Sequence, residues 1–217
     1  MFKVKLIAVT QPVVEGIEDV GELIAYCARV SNPANQHNMG TAEKLLGYLQ
    51  KYKHWSPFEM ANAVVEVESP RDIARQLLRH RSFSFQEFSQ RYADVTQLEQ
   101  AFCLRDLRMQ DTKNRQNSVE TDDETLRQWW TDAQNEVLNI VKANYSAALE
   151  RGIAKEVARV ILPEGLTMSR LYVNGTLRSW IHYLEVRTES GVTQEEHVQL
   201  ALLIADQVNL AFPIYKR

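Results

Sequence analysis

The chain reads as an α+β fold, mostly helical with a small antiparallel sheet. Three features predict this. Apolar residues recur at helical spacing through most of the chain, short alternating runs occur early and once between the late helices, and there is no internal repeat or linker. A length of 217 residues fits one domain spanning 1–217.

Residues 3–9 alternate as a strand that Gln11-Pro12 ends, and a helix is expected over 18–29 until Ser31-Asn32-Pro33 breaks it. Leu45, Leu46 and Leu49 share a face of a second helix over 41–52, followed by a loop at His54-Trp55-Ser56-Pro57. Ala61, Ala63, Val65 and Val67 interleave with other residues as a strand, with Val64 the one apolar residue on the polar side. Ser69 then offers an N-cap, Pro70 a first helical residue and Asp72 a first-turn carboxylate, for a helix ending near Arg81. Residues 82–92 read as an extended segment. The polar, aperiodic stretch 105–118 reads as a long loop. Thr121-Asp122-Asp123-Glu124 is a capping box that launches a long helix stopping at Gly152, and a further helix over 154–162 stops at Pro163. After an extended stretch around 171–173, Asn174 is expected to cap a helix over 175–187. Thr193-Gln194-Glu195-Glu196 caps a last helix reaching Ala211, with Val198, Leu202 and Ala205 on its core face.

Composition narrows the classes of function. The formal charge of −3 argues against general coating of nucleic acid, which wants a basic domain. The longest purely apolar runs, such as 201–205, fall far short of the roughly 20 residues of a bilayer span. The start, Met1-Phe2-Lys3-Val4-Lys5, leads into a strand rather than an apolar leader, so a cytoplasmic protein with no membrane partner is expected. Cys27 and Cys103 have no Cys-x-x-Cys spacing and read as buried or incidental thiols. His37, His54, His80, His182 and His197 lack metal-ligand spacing, so no metal is expected.

Chemistry concentrates between residues 71 and 91, where Arg71, Arg75, Arg79, Arg81 and Arg91 face only Asp72 and Glu87. Arg71, Arg75 and Arg79 are spaced by four and share a helix face with Gln76 nearby, so their like charges need either water or an anionic ligand. Taken alone, the cluster leaves both readings open. Arg79-His80-Arg81 leads directly into a stretch rich in aromatic residues and hydroxyls, where a polar ligand could lie.

Arg79-His80-Arg81, then 82–88, then Ser89 resembles the signature of the flavin-dependent thymidylate synthases. The likeness extends to Gln76, to Glu87-Phe88-Ser89-Gln90-Arg91, to His54-Trp55-Ser56-Pro57-Phe58-Glu59 and to Ala28-Arg29-Val30-Ser31. In the C-terminal half it covers Arg159-Val160-Ile161-Leu162-Pro163, Arg178 with His182, and Arg187 followed by Gln194. The resemblance implies a homotetramer with active sites between subunits. It also implies FAD as cofactor and conversion of dUMP to dTMP, with methylenetetrahydrofolate giving the carbon and NADPH the reducing equivalents. It assigns Gln76, Arg79, Glu87, Ser89, Gln90, Arg91, Arg159 and Arg187 to dUMP, and Ser31, His54, Ser56, Glu59, Arg79, His80, Arg81, Glu87, Thr176, Arg178 and His182 to FAD. Gln90 departs from the family's frequent glycine and Thr176 from its frequent asparagine.

Ser89 has no Gly-x-Ser-x-Gly elbow and no His-Asp pair, so it is expected to bind rather than attack. Arg187 is the catalytic candidate: a guanidinium is no base, but it can stabilise negative charge developing on uracil N3 and its carbonyl. Two other readings predict different chemistry. In one, Arg71 to Arg91 and Phe83, Phe85, Phe88 and Tyr92 bind a single strand of nucleic acid; in the other, the long helix assembles an oligomer and the arginines are solvated. Phe83, Phe85 and Phe88 themselves read as core or interface residues.

Overall fold

The computed structural model describes residues 1–213. Strand β1 (Lys3–Val9) is followed by helix α1 (Val20–Ala28), whose N-cap Asp19 accepts a hydrogen bond from the Glu22 amide at 2.8 Å. Helix α2 (Ala42–Lys51) and a 3-10 turn over Ser56–Met60 lead into β2 (Asn62–Pro70), then α3 (Arg71–Leu77) and β3 (Ser84–Glu87). A hairpin of β4 (Met109–Gln110) and β5 (Ser118–Val119) precedes the long helix α4 (Glu124–Glu150) and the short α5 (Lys155–Ala158). Strand β6 (Met168–Thr176), helix α6 (Leu177–Arg187) and helix α7 (Glu195–Ala211) complete the chain. The main sheet runs β1-β2-β6-β3, antiparallel throughout. Mostly helical with a small antiparallel sheet, this is the expected α+β fold.

Alternation in β2 does what its pattern implies. Ala63, Val65 and Val67 are buried against Ile73, Leu77, Leu184, Leu200 and Ile204 in one cluster that runs from Ile24 to Phe212. Among the described residues, no helix is long and apolar enough to cross a membrane.

The structure corrects several local expectations. Ser69 is no N-cap: β2 continues through Pro70, and the Ser69 hydroxyl donates to the Pro70 carbonyl. Pairing of Ser69 with Ser169 and of Pro70 with Met168 overrides the helix-start signal. Helix α3 ends at Leu77, so Arg79 and Arg81 lie beyond it and share no helical face with Arg71 and Arg75. Asn174 lies in β6, and Thr176 caps α6 by accepting from the Ser179 amide at 3.2 Å. Asp123, not Thr121, caps α4, accepting from the Leu126 amide at 2.9 Å. Gln194 occupies the cap of α7 without a side-chain capping bond, while the Thr193 hydroxyl donates to the Val186 carbonyl. Leu202 is 50% exposed and does not join Val198 and Ala205 in the core.

The stretch 105–118 is not a structureless loop but contains most of the β4–β5 hairpin. Asp111 accepts from the Lys113 and Asn114 amides at 2.8 and 3.2 Å and from the Asn117 side chain at 2.8 Å, closing the turn with polar bonds that hydrophobic periodicity does not register.

Gly175 permits the approach of β6 to the segment before β3. A Cβ there would stand 2.3 Å from the buried Phe83 ring, which itself packs on Trp180 at a centroid distance of 4.3 Å. Gly175→Ala is therefore expected to lower stability by about 1–3 kcal/mol in urea unfolding. An unchanged midpoint would show that the ring yields at no cost.

Candidate active site

Strands β2 and β6 pair over nine residues, from Asn62 opposite Thr176 to Pro70 opposite Met168. Helix α3 springs from the far end of β2, and α6 springs from the opposite end of the ladder, about 30 Å away. They run back for about 10 and 16 Å, so their C-terminal ends converge near the middle. There the Arg187 Nε–H donates to His80 Nε2 at 2.9 Å, joining the end of α6 to the residue just beyond α3.

The arginines sort into two groups. Arg71 is buried and donates to Glu87 at 3.2 Å, with Ser169 donating to the same carboxylate oxygen at 2.9 Å. Arg75 pairs with Glu164 at 2.8 Å and Arg91 with Glu156 at 3.3 Å, both exposed. Among the described residues, Arg79, Arg81, Arg159 and Arg187 have no carboxylate within salt-bridge distance.

Arg79 and Arg187 lie close enough to repel. Burial pulls the Arg187 pKa below the ordinary value; the Tyr183 hydroxyl opposes that, and the Arg79 charge adds to it. Arginine's margin keeps it cationic at neutral pH. His80, bonded to Arg187, has its pKa lowered to about 4, by burial first and then by the charges of Arg187 and His182. Neutral at pH 7, it accepts from Arg187 through Nε2, which leaves its proton on Nδ1. Two neighbouring guanidiniums, one of them bonded to a neutral imidazole and neither matched by a carboxylate, suit an anion.

Of the residues expected to bind FAD, Glu59, Arg178 and His182 line one cleft of about 490 Å³ together with Lys53, Trp55, Ser82, Ser179, Ile181 and Glu185. The volume suits a small-molecule site. Glu59 and Arg178 form an ion pair across it. His54 and Ser56 flank lining residue Trp55, His80 and Arg81 precede Ser82, and Thr176 is three residues before Ser179. His54 is exposed, its ring edge-on to Tyr48 at 5.9 Å. Thr176 spends its hydroxyl on the α6 cap. Ser31 is exposed beyond α1 and lines none of the cleft.

Of the residues expected to bind dUMP, Glu87, Ser89, Gln90 and Arg91 lie at or just after β3 and Arg159 just after α5, whereas Gln76 lies in α3, Arg79 just beyond it and Arg187 at the end of α6. Glu87 ends this strand, and Ser89 starts a turn in which its carbonyl accepts from the Tyr92 and Ala93 amides at 3.0 and 2.9 Å. Arg91 reaches α5 through Glu156, and Arg159 follows α5 directly. Gln90 is only 5% exposed, with its amide nitrogen unpartnered. Phe83 is buried and therefore closed to base stacking, while Phe85 and Phe88 are half-buried against neighbouring clusters.

Gln76 stands in a chain of polar groups that sequence inspection missed. Tyr183 Oη lies 3.1 Å from His197 Nε2, His197 Nδ1 lies 3.1 Å from Gln76 Oε1, and Gln76 Nε2 donates to Gln194 Oε1 at 2.7 Å. Gln194 Nε2 donates to Glu196 at 2.9 Å, and Glu196 meets Arg108 at 2.5 Å and Arg105 at 3.3 Å. Arg105 continues to Asp72 at 2.9 Å. The available signal was His197 itself, a lone polar ring among Val198, Leu200 and Ala201 on the buried side of α7.

A family model described as "Thymidylate synthase complementing protein" matches residues 12–214. The chain is 53% identical to a "Probable flavin-dependent thymidylate synthase" of Paramecium bursaria Chlorella virus 1, over 91% of this chain and 89% of that one. It is 48% identical to the "Flavin-dependent thymidylate synthase" of Synechocystis sp., over 92% and 90%. Among solved structures, the UMP/dUMP methylase PolB from Streptomyces cacaoi bound with 5-Br dUMP superposes with a TM-score of 0.81 at 26% identity, covering 99% of this chain and 92% of that one.

His80 and His197 titrate in the folded protein near pH 4 and pH 3, the latter lowered by burial and then by the charges of Arg187 and His80; an unfolded histidine titrates near 6.5. Between those values only the unfolded chain takes up the protons. Stability is thus full above about pH 6.5 and falls as pH drops toward 4. Urea unfolding at pH 7, 6 and 5 should show this decline, and His197→Leu should lessen its slope. Stability independent of pH across that window would remove the neutral imidazoles from the site.

Proposed function

The chain belongs to the flavin-dependent thymidylate synthase family and is a methyltransferase, and we propose that it converts dUMP to dTMP in the cytoplasm, taking the carbon from methylenetetrahydrofolate and reducing equivalents from NADPH. The observation that carries this reading is the pair Arg79 and Arg187, neighbouring cations without carboxylate partners among the described residues, Arg187 bonded to a neutral His80. A nucleotide monophosphate with an ionisable pyrimidine edge answers both charges.

The cleft beside α6 fits part of FAD. Lys53 and Arg178 supply cations for phosphates, Trp55 an aromatic wall, and His182 and Ser179 polar contacts. When bound, FAD supplies the two-electron step, carrying hydride from NADPH to the transferred one-carbon unit, so that the folate leaves as tetrahydrofolate. Ser56, Glu59, His80 and Arg81 belong to the same group of residues by position, with His54 beside them. Thr176 serves through the α6 cap that aims Arg178.

On the nucleotide side, Arg79, Arg91 and Arg159 supply charge for the phosphate, and Gln76, Glu87, Ser89 and Gln90 supply polar contacts. The unpartnered amide of Gln90 supports this placement. Arg187 holds the uracil N3–carbonyl edge and stabilises the negative charge that makes C5 nucleophilic, so that no enzyme nucleophile is needed. His80 keeps the Arg187 fork oriented by accepting one of its N–H bonds.

A homotetramer with shared active sites is part of the proposal. Exposed Trp129, Val137 and Ile140 on α4 and Val160 beyond α5 support it as apolar surface for subunits to cover.

The purified protein with FAD should show a flavin spectrum that bleaches anaerobically with NADPH and responds to dUMP. Failure to bind flavin in excess FAD would overturn the reading. Arg187→Ala should keep flavin and assembly while dTMP formation drops by about 10²–10³-fold. Normal turnover in that variant would remove the activating role. Arg79→Ala should weaken dUMP binding in calorimetry, and unaltered affinity would mean that the phosphate lies elsewhere.

A further inference from the structure

We infer that His197 is a positioning residue for the nucleotide site: its Nδ1–H donates to the Gln76 carbonyl oxygen and so helps hold the Gln76 amide with N–H, not C=O, toward the ligand. The inference rests on the dUMP reading of Gln76 and adds a residue that contacts no substrate.

Direction in this chain of hydrogen bonds is set by its charged end. Burial opposes the Glu196 charge, but the Arg108 hydrogen bond, its own backbone amide, the Arg105 charge and the Gln194 amide outweigh it and hold its pKa below the ordinary carboxylate value. An ionised carboxylate only accepts, so Gln194 must turn its NH₂ toward Glu196 and its carbonyl toward Gln76. Gln76 must then meet that carbonyl with NH₂, which places its own carbonyl against His197 Nδ1. Reversing Gln76 alone would set two carbonyls at 2.7 Å; reversing Gln194 as well would set a carbonyl against a carboxylate.

The other end is compatible with this direction. Burial drives the Tyr183 pKa upward, with Arg187 opposing, so its hydroxyl stays protonated and is able to donate to the unprotonated His197 Nε2. Burial and then the Arg187 and His80 charges keep His197 neutral, leaving its one proton for Nδ1. With His197 and Tyr183 fully buried, neither water nor an alternative partner competes. One Gln76 N–H is used by Gln194, and the second remains for an acceptor oxygen of the nucleotide.

The test is titration of dUMP into the FAD-loaded enzyme. His197→Leu should weaken dUMP about tenfold, the scale of one hydrogen bond, with FAD affinity and spectrum unchanged. His197→Asn, which keeps an N–H donor close to the position of Nδ1, should recover most of the loss. In a Gln76→Ala background, His197→Leu should have no further effect. Native dUMP affinity in His197→Leu, or the same loss with and without Gln76, would overturn the role. The ¹⁵N shifts of the His197 ring in the native protein decide the matter without a variant: an Nε2-protonated tautomer refutes it, and Nδ1 protonation supports it. A native enzyme that binds FAD but no dUMP would bring down the nucleotide reading itself, and this inference with it.

Discussion

The antiparallel ladder between β2 and β6 is the constraint on which the remainder depends. Because the two strands run in opposite senses over nine residues, the helices that continue them start at opposite ends and point toward each other. Lengths of seven and eleven residues then bring His80 and Arg187, distant in sequence, to hydrogen-bonding distance. The core enforces the same geometry, since Leu77 of α3 and Leu184 of α6 are buried in one cluster with the inward face of β2. A slip of one residue in the ladder would exchange the faces of the sheet and carry both helices off that core.

Electrostatics then separates arginines by their partners. Arg71 lies under the sheet edge and is matched by Glu87, because burying an unpaired charge is costly; Arg75 and Arg91 find carboxylates at the surface, where such pairs contribute little. Arg79 and Arg187 have repulsion instead. Two helix C-termini pointing at this spot offset some of it, since their partial negative charge favours cations. No carboxylate among the described residues matches the remainder, and Arg79 is open to solvent, so the charge stays available there.

Precision in such a site comes from groups behind it. Gln76 is half-buried, and its amide is held by a chain anchored at one end by the buried Tyr183 and His197 and at the other, through the exposed Gln194, by Glu196 between two arginines. Arg105 and Arg108 come from the stretch leading into the β4–β5 hairpin, where Arg108 also donates to Ser118 at 2.8 Å. That hairpin region is thereby tied to Gln76, which gives its polar sequence a structural purpose.

Much of this was legible in one dimension. Alternation at Ala61 to Val67, the stop at Gly152 and the motif from Arg79 to Ser89 are local, because strand pairing, helix termination and a contiguous signature each depend on neighbours in sequence. Resemblance gathered Glu59, Arg178 and His182, which do line one cleft. What escaped was decided by partners far along the chain. Ser69 looked like a cap until Ser169 paired with it; Thr176 took the cap expected of Asn174 because β6 ran longer than its apolar residues showed. Five arginines looked alike until distant carboxylates claimed three of them. The pairing of Gln76 with His197 spans 121 positions, and no periodicity reports it. Sequence by itself determined the elements, the family and the chemistry on offer. Tertiary structure decided which charges stay unmatched and which way an amide points, because desolvation and hydrogen-bond direction depend on neighbours in space.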